Sequence, residues 1–173
     1  GGGDISVSNT GKLELTATPI VAVGSNVSLS SGGAMTLLKG IDVGSSKSIS
    51  LSAAAGGIQQ GGGTLTAGSL EIRGAGVFNL ANVESTTSAG KTVNTYNDVT
   101  TIAADVTGNF TYREKDAITV GTVGSTVGIN THGGSLTLES GGPQQVGGAA
   151  LPPFGGPMIL SAGLNAGGGI ITL

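Results

Sequence analysis

The chain has 173 residues, of which only 10% are charged, and its seven lysines and arginines are scattered singly under a net charge of -3. No basic stripe is therefore present to neutralise phosphates, which excludes a nucleic-acid binder on electrostatic grounds. The lack of cysteine excludes disulfides and thiolate metal sites, and the absence of any run of about 18 apolar residues predicts no transmembrane segment.

Short units in which apolar and small polar residues alternate predict β-strands along most of the chain. In chain order, the clearest units are Ile5–Val7, Leu13–Leu15, Val27–Leu29, Met35–Leu37, Ile49–Leu51, Leu70–Ile72, Ile118–Val120 and Leu136–Leu138. Glycine is frequent, with 34 residues, and no apolar spacing of three and four is sustained, so helices are not expected. The sequence predicts an all-β protein.

The spacing of these units predicts a repeat. Equivalent positions recur at Ile5, Val27, Ile49 and Leu70, in steps of 22, 22 and 21 residues. Leu13 to Met35 and Leu136 to Met158 are also 22-residue steps. A strand that recurs at such a step can stack in parallel on the previous one, about 4.8 Å away.

Third units at Val21–Val23 and Ile41–Val43 indicate three short strands in each coil. We therefore expect a parallel β-solenoid of about eight coils of roughly 22 residues, formed by residues 1–173 as one domain. Aliphatic side chains should form ladders inside the coil, while serine and threonine side chains point outward. Glycines should occupy the corners.

The repeat weakens in two places, where irregular coils are expected. Residues 83–108 are rich in threonine, asparagine and aspartate, and only Val93–Thr95 and Val99–Ile102 remain as strand candidates there. Residues 141–157 contain Gly-Gly-Pro twice and Leu151–Phe154 with two prolines. Proline cannot donate to a strand ladder, so a surface loop is expected on that side.

The densest group of charges is Arg113-Glu114-Lys115-Asp116, which is either a solvated turn or part of a carbohydrate or metal site. The single histidine, His132, lies in a turn-like Asn-Thr-His-Gly-Gly segment. It is expected to be a solvated turn residue, because a catalytic base needs convergent partners. No catalytic, cofactor-binding or metal-binding residue is predicted, and no cofactor.

Several other residue patterns bear on binding sites. Five aspartates share no common period, so a structural calcium is not expected: Asp4, Asp42, Asp98, Asp105 and Asp116. Gly61–Gly63 and Gly74–Gly76 are interpreted as corners and not as phosphate loops. Asn26-Val27-Ser28 and Asn109-Phe110-Thr111 match the glycosylation sequon. Tyr96, Tyr112 and Phe154 serve either as exposed contacts for a partner or as packing residues.

Two segments carry a family resemblance, Asn26–Leu37 (NVSLSSGGAMTL) and its counterpart Gly133–Gly142 (GGSLTLESGG). They resemble the filamentous-haemagglutinin-type exoproteins of two-partner secretion and related autotransporter passengers. The resemblance implies a right-handed parallel β-helix on a Gram-negative surface, used for adhesion, biofilm matrix or toxin display. It also implies an extracellular or outer-surface location.

Three functional hypotheses follow from the repeat and this resemblance. The first is a non-enzymatic structural or adhesive segment of a fibrous surface protein. The second is a module that binds surface glycans or a host receptor, and the third is a polysaccharide-active enzyme that uses Glu114 or Asp116. Both ends of the sequence look strand-like, with no cap, so we expect end-to-end self-association or continuation within a longer chain.

Overall fold

The computed structural model describes residues 3–88, 91–146 and 149–173. Within these ranges all regular structure is β and no residue is helical, and none of the residues described belongs to a helix that could span a membrane. The strands are β1 (Ile5–Asn9), β2 (Leu13–Leu15), β3 (Ile20–Val21), β4 (Val27–Ser31), β5 (Met35–Leu37), β6 (Ile41–Ala53), β7 (Gly57–Gln60), β8 (Leu65–Ala75), β9 (Val77–Leu80), β10 (Glu84–Ser88), β11 (Lys91–Thr95), β12 (Asp98–Thr107), β13 (Phe110–Glu114), β14 (Ile118–Val120), β15 (Thr122–Val123), β16 (Thr126–Val127), β17 (Ile129–Asn130), β18 (Leu136–Ser140), β19 (Gly142–Val146), β20 (Ala149–Phe154), β21 (Met158–Leu160), β22 (Leu164–Asn165) and β23 (Ile171–Thr172).

Two parallel sheets form the body of the fold. The larger has the order β1-β4-β6-β8-β12-β14-β21, with β3, β17 and β22 paired beside this path. The second has the order β2-β5-β7-β9-β13-β18-β23. Because each strand pairs with one from the next stretch of chain and both sheets are parallel, the expected all-β, β-solenoid-like fold is confirmed at this level.

The register confirms the repeat in the first part of the chain. Ile5 pairs with Val27, Val27 with Ile49 and Ile49 with Leu70. In the second sheet Leu13 pairs with Met35, as the 22-residue step predicts. The spacing alone thus located the partners of these strands.

The same step is wrong for Leu136 and Met158. Leu136 pairs with Ile171 in the second sheet, whereas Met158 pairs with Ile118 in the first. The 22-residue spacing is a coincidence here, because the chain between these residues includes the antiparallel hairpin β19–β20.

Besides the main paths of the two sheets, a third row of paired segments runs along the stack. Its outward surface is called the third face. Ile20 pairs with Ile41, and Ile41 with Leu65. The outward positions of this row are Val21, Asp42, Thr66 and Asp98, which are successive partners across the strands. The row belongs to the first sheet because β6, β8 and β12 each run through both rows as one continuous strand.

The core consists of inward ladders between these rows. Val27, Ile49, Leu70 and Ile102 form one ladder and are each at most 1% exposed. Full burial of such a side chain contributes about 1.5–3 kcal/mol. Outward positions carry serine, so Ser6, Ser28 and Ser50 align in one column and Ser8, Ser30 and Ser52 in another.

In the described part of the chain, three antiparallel hairpins leave the stack: β10–β11, β15–β16 and β19–β20. Two of them, β10–β11 and β19–β20, fall within the segments where irregular coils are expected. Within 83–108, Asp98–Thr107 is a ten-residue strand that pairs with β8, so only the hairpin departs from the stack. Within 141–157, the backbone forms the hairpin β19–β20 and not a loop without strands.

Candidate functional site beside the first hairpin

The β10–β11 hairpin rises beside the third face and forms a wall of a groove. One cavity of about 230 Å³ is lined by Thr64, Thr66, Asp98, Lys115 and hairpin residues 93–96. An adjoining cavity of about 370 Å³ shares Thr64 and Thr66 and extends to Pro19, Lys39, Gly40, Ile41, Asp42, Gly63 and Glu84. The groove therefore follows the stacking direction across several strands.

Asn97 anchors the base of the hairpin where the chain rejoins the stack. Its side chain is fully buried, and its Oδ1 accepts from the backbone N–H of Leu65 at 2.9 Å. Its Nδ2 donates to the backbone oxygen of Leu80 at 2.8 Å, and the amides of Asn97 and Gln60 bond reciprocally at 2.8 and 3.2 Å. A buried amide with all these partners fixes the position of its backbone.

Glu114 is the second buried polar residue of the site. It follows Phe110 and Tyr112 on the inward side of β13 and is fully buried. One carboxylate oxygen accepts from the hydroxyl of Tyr112 at 2.6 Å and the N–H of Val99 at 3.0 Å, and the other accepts from the N–H of Lys115 at 2.9 Å. Glu114 thereby connects β13 to the start of β12.

The removal of Glu114 from water raises the pKa of its carboxyl to about 8, although its three hydrogen-bond donors act in the opposite direction. Burial, reinforced by the neighbouring Glu114 carboxyl, also raises the pKa of Tyr112 well above its ordinary value. Of the two, only Glu114 changes charge near neutral pH. The site thus contains a buried acid that titrates under mild conditions.

Asp98 and Lys115 lie at the surface of the groove. The Lys115 ammonium donates to the Asp98 carboxylate at 2.8 Å, and this hydrogen bond raises the pKa of Lys115. About half of the Asp98 side chain is exposed. The pair therefore presents both a carboxylate and an ammonium to the groove.

The charged segment Arg113–Asp116 does not form one surface group, because its side chains point in different directions. Arg113 points outward and pairs with Glu139 of β18. Glu114 points inward, and Asp116 is exposed after the strand ends. Asp98, Glu114 and Asp116 each place one carboxylate oxygen within 4.8 Å of the others. The interpretation of the whole segment as a solvated turn is wrong for Glu114, because strand alternation buries it.

His132 occupies a turn, as expected, with a positive φ of 48° and its N–H bonded to the Asn130 side chain. Its Nε2 lies 2.6 Å from the Asp105 carboxylate. Both side chains are about half exposed. The geometry is that of a surface pair, whose contribution to stability is usually small.

The aromatic candidates prove to be packing residues where they are described. Tyr96 is 3% exposed and Tyr112 fully buried, so neither forms an exposed contact. The side chain of Phe154 lies outside the described part of the structure. Gly63 occupies a corner at the rim of the groove with φ of 65°, and a Cβ there would lie 2.0 Å from the Gly40 nitrogen.

The asparagines of the two sequons form hydrogen bonds to neighbouring coils. The Asn26 Oδ1 accepts from the N–H of Ser48, and its side-chain and backbone nitrogens donate to Asp4, whose pKa is lowered by these bonds. The Asn109 Oδ1 accepts from the N–H of Ser135. Both asparagines therefore connect neighbouring coils at a corner.

Three polar residues that organise the fold were not predicted from the sequence. Asn97 and Gln60 gave no signal, because a lone amide has no periodic partner in the sequence. Glu71 was assigned only to a strand, yet it accepts from Thr126 of the β15–β16 hairpin at 2.8 Å and from Arg73 at 2.5 Å. The Arg73 side chain also donates to Thr126, at 2.9 Å.

No protein-family model matches the sequence, and the comparisons with curated proteins and with solved structures also gave no match.

Proposed function

We propose that this chain is a structural and adhesive segment of a bacterial cell-surface or secreted fibrous protein. In this proposal a right-handed solenoid of about eight coils forms a rigid shaft. The supporting observation is the pair of parallel sheets, each with seven strands on its main path, stacked strand over strand. The resemblance of Asn26–Leu37 to two-partner secretion exoproteins supports the surface location.

The shaft is proposed to continue beyond the first coil, either in a longer chain or through a second copy. The supporting observation is a difference between adjacent coils. Leu13 and Leu15 remain partly exposed, whereas their partners Met35 and Leu37 are fully buried. Leu13 and Leu15 line an apolar cavity of about 160 Å³ at this end of the stack. An added coil would bury them, with a gain of about 25 cal/mol per Å².

Electron microscopy and small-angle scattering of the purified chain test the shaft. We expect particles that lengthen with protein concentration as copies stack, because strand edges template further pairing. Leu15→Lys places a charge in the stacking surface and should keep the protein monomeric. Leu38→Lys, at an exposed lateral leucine, is the matched control. Compact, concentration-independent globules from the wild-type protein would contradict self-stacking and a fibre-forming role.

A polysaccharide-active enzyme is a weaker proposal. Glu114, one of its two candidate residues, is fully buried and already bonded by three donors, so a substrate would not contact it. We propose a non-enzymatic protein, tested by incubation with a polysaccharide panel. Product release by the wild-type chain that is lost in Asp116→Asn would overturn this proposal.

The groove favours a second candidate function, an adhesive module that binds glycans. Its lining of both polar and apolar groups and its position beside the hairpin support this role. The shaft and the groove are separable features, so the same chain can have both roles. A glycan array with the wild-type chain tests the module, and uniform silence would count against it.

A further inference from the structure

The floor of the groove beside β10–β11 is built by three successive strands. Asp42, Thr66 and Asp98 are Cα partners in β6, β8 and β12. Neighbouring strands lie about 4.8 Å apart, so these outward positions cover about 10 Å along the stack. The two cavities that meet over Thr64 and Thr66 together reach the size of about 300–1,000 Å³ typical of ligand sites.

The groove has a mixed polar and apolar lining and carries both signs of charge. Its acceptors include the carboxylates of Asp42, Glu84 and Asp98, and its donors include the ammonium groups of Lys39 and Lys115. A polyanion would meet three carboxylates, and a polycation would meet two ammonium groups. A neutral polyhydroxylated chain finds acceptors and donors without like-charge repulsion.

Several groups in the groove are held in place before any ligand arrives. Lys115 is fixed by Asp98 at 2.8 Å, and one Asp42 oxygen accepts from the N–H of Gly44 at 2.9 Å. The hairpin wall is fixed at its base by the buried bonds of Asn97. Preorganised polar groups lose little conformational freedom on binding, which favours affinity for a weakly interacting ligand.

We propose that this groove binds a short segment of a neutral oligosaccharide, aligned along the stacking direction. This inference rests on the adhesive candidate function and names its ligand class. Val93, which is 41% exposed, supplies an apolar surface for a sugar ring beside the polar groups. The serine columns of the first sheet lie on another face and have no part in the site.

The test is an NMR titration of the whole ¹⁵N-labelled chain with maltotriose, cellotriose, triacetylchitotriose and trigalacturonate. We expect at least one neutral trisaccharide to give saturable shifts at the amides of Thr64, Thr66 and Asn94. Trigalacturonate should give none there. If no neutral trisaccharide shifts these amides, or trigalacturonate binds as tightly, the proposal is wrong.

Paired variants locate the site. Thr66→Tyr fills the floor of the groove and should weaken binding at least tenfold, whereas Thr36→Tyr makes the same change at an outward position of the second sheet and should not. Val93→Arg changes only an exposed hairpin residue and should also weaken binding, which keeps the test valid if Thr66→Tyr does not fold. Unchanged affinity in folded groove variants would overturn the proposal.

The scattering profile of each variant separates this inference from the shaft proposal. If the wild-type chain stacks but binds no neutral sugar, the sugar-binding proposal is wrong and the shaft proposal stands. If it binds a sugar but never stacks, self-stacking is contradicted and the sugar-binding proposal stands.

Discussion

The early coils and the coil that follows the first hairpin stabilise the stack by different means. Where β4 pairs with β6, the partners lie 22 residues apart and the ladder residues Val27 and Ile49 are aliphatic. Across β10–β11 the step from Leu70 to Ile102 is 32 residues, and Asn97 and Glu114 are buried beside the ladder. Where the chain leaves the stack and returns, directional polar bonds must restore a register that a regular repeat sets by itself.

Asn97→Ala should cause the largest loss of stability, in the coil that follows the first hairpin. It leaves the Gln60 amide, the Leu65 N–H and the Leu80 carbonyl buried without this partner. Unsatisfied buried groups of this kind cost about 1–3 kcal/mol each, so a loss of about 4 kcal/mol in unfolding free energy is expected. Chemical denaturation measures it. Asn79→Ala, at an exposed position of β9, is the control, and equal losses would contradict the anchoring role.

Glu114 should make stability depend on pH. Its carboxyl has a pKa of about 8 in the folded protein and near 4.5 when unfolded, so folding favours the protonated form. The stabilisation is complete below about pH 4.5 and is lost as pH rises through 8. We expect about 3 kcal/mol less stability at pH 8 than at pH 5 from this group. Denaturation at both pH values measures the difference.

Glu114→Gln is the control for that pH effect. The amide has a similar volume but does not titrate, so the slope between pH 5 and 8 should flatten. A slope that persists in this variant would assign the effect to other groups.

Truncation of an apolar ladder residue should cost the same free energy of unfolding in both regions. Ile49 and Ile102 are fully buried and belong to the same ladder, before and after the hairpin. Ile→Val at either position should cost about 1 kcal/mol. Thermal unfolding of the two variants provides the comparison, and a much larger loss at Ile102 would show that the hairpin strains the ladder.

The smallest effect is expected at the surface of the groove. Lys115→Ala removes a partly exposed pair with Asp98, so a loss of about 0.5 kcal/mol is expected. The difference from wild type should shrink at high salt. A loss that is large and independent of salt would indicate that Lys115 packs as part of the anchor.

The sequence predicted the strands and the early register because both follow from alternation and a constant coil length. It failed where hairpins change that length, as for Leu136 and Met158. The density of charges at 113–116 marks this segment in the sequence, and strand alternation also indicates the inward position of Glu114. Phe110, Tyr112 and Glu114 alternate along one strand face, so the apolar pair indicated burial. The bonds of Asn97 and Gln60 had no such signal, since they join residues 37 apart through the fold.

The β10–β11 hairpin enters after Leu80 and rejoins the stack at Asn97, and these two residues are bonded to each other. Its entry and exit are therefore fastened at one point. The strands before and after the hairpin, β9 and β12, are therefore expected to keep their pairing when the length of the hairpin changes. A peptide inserted between β10 and β11 is therefore expected to leave the register of the flanking strands unchanged.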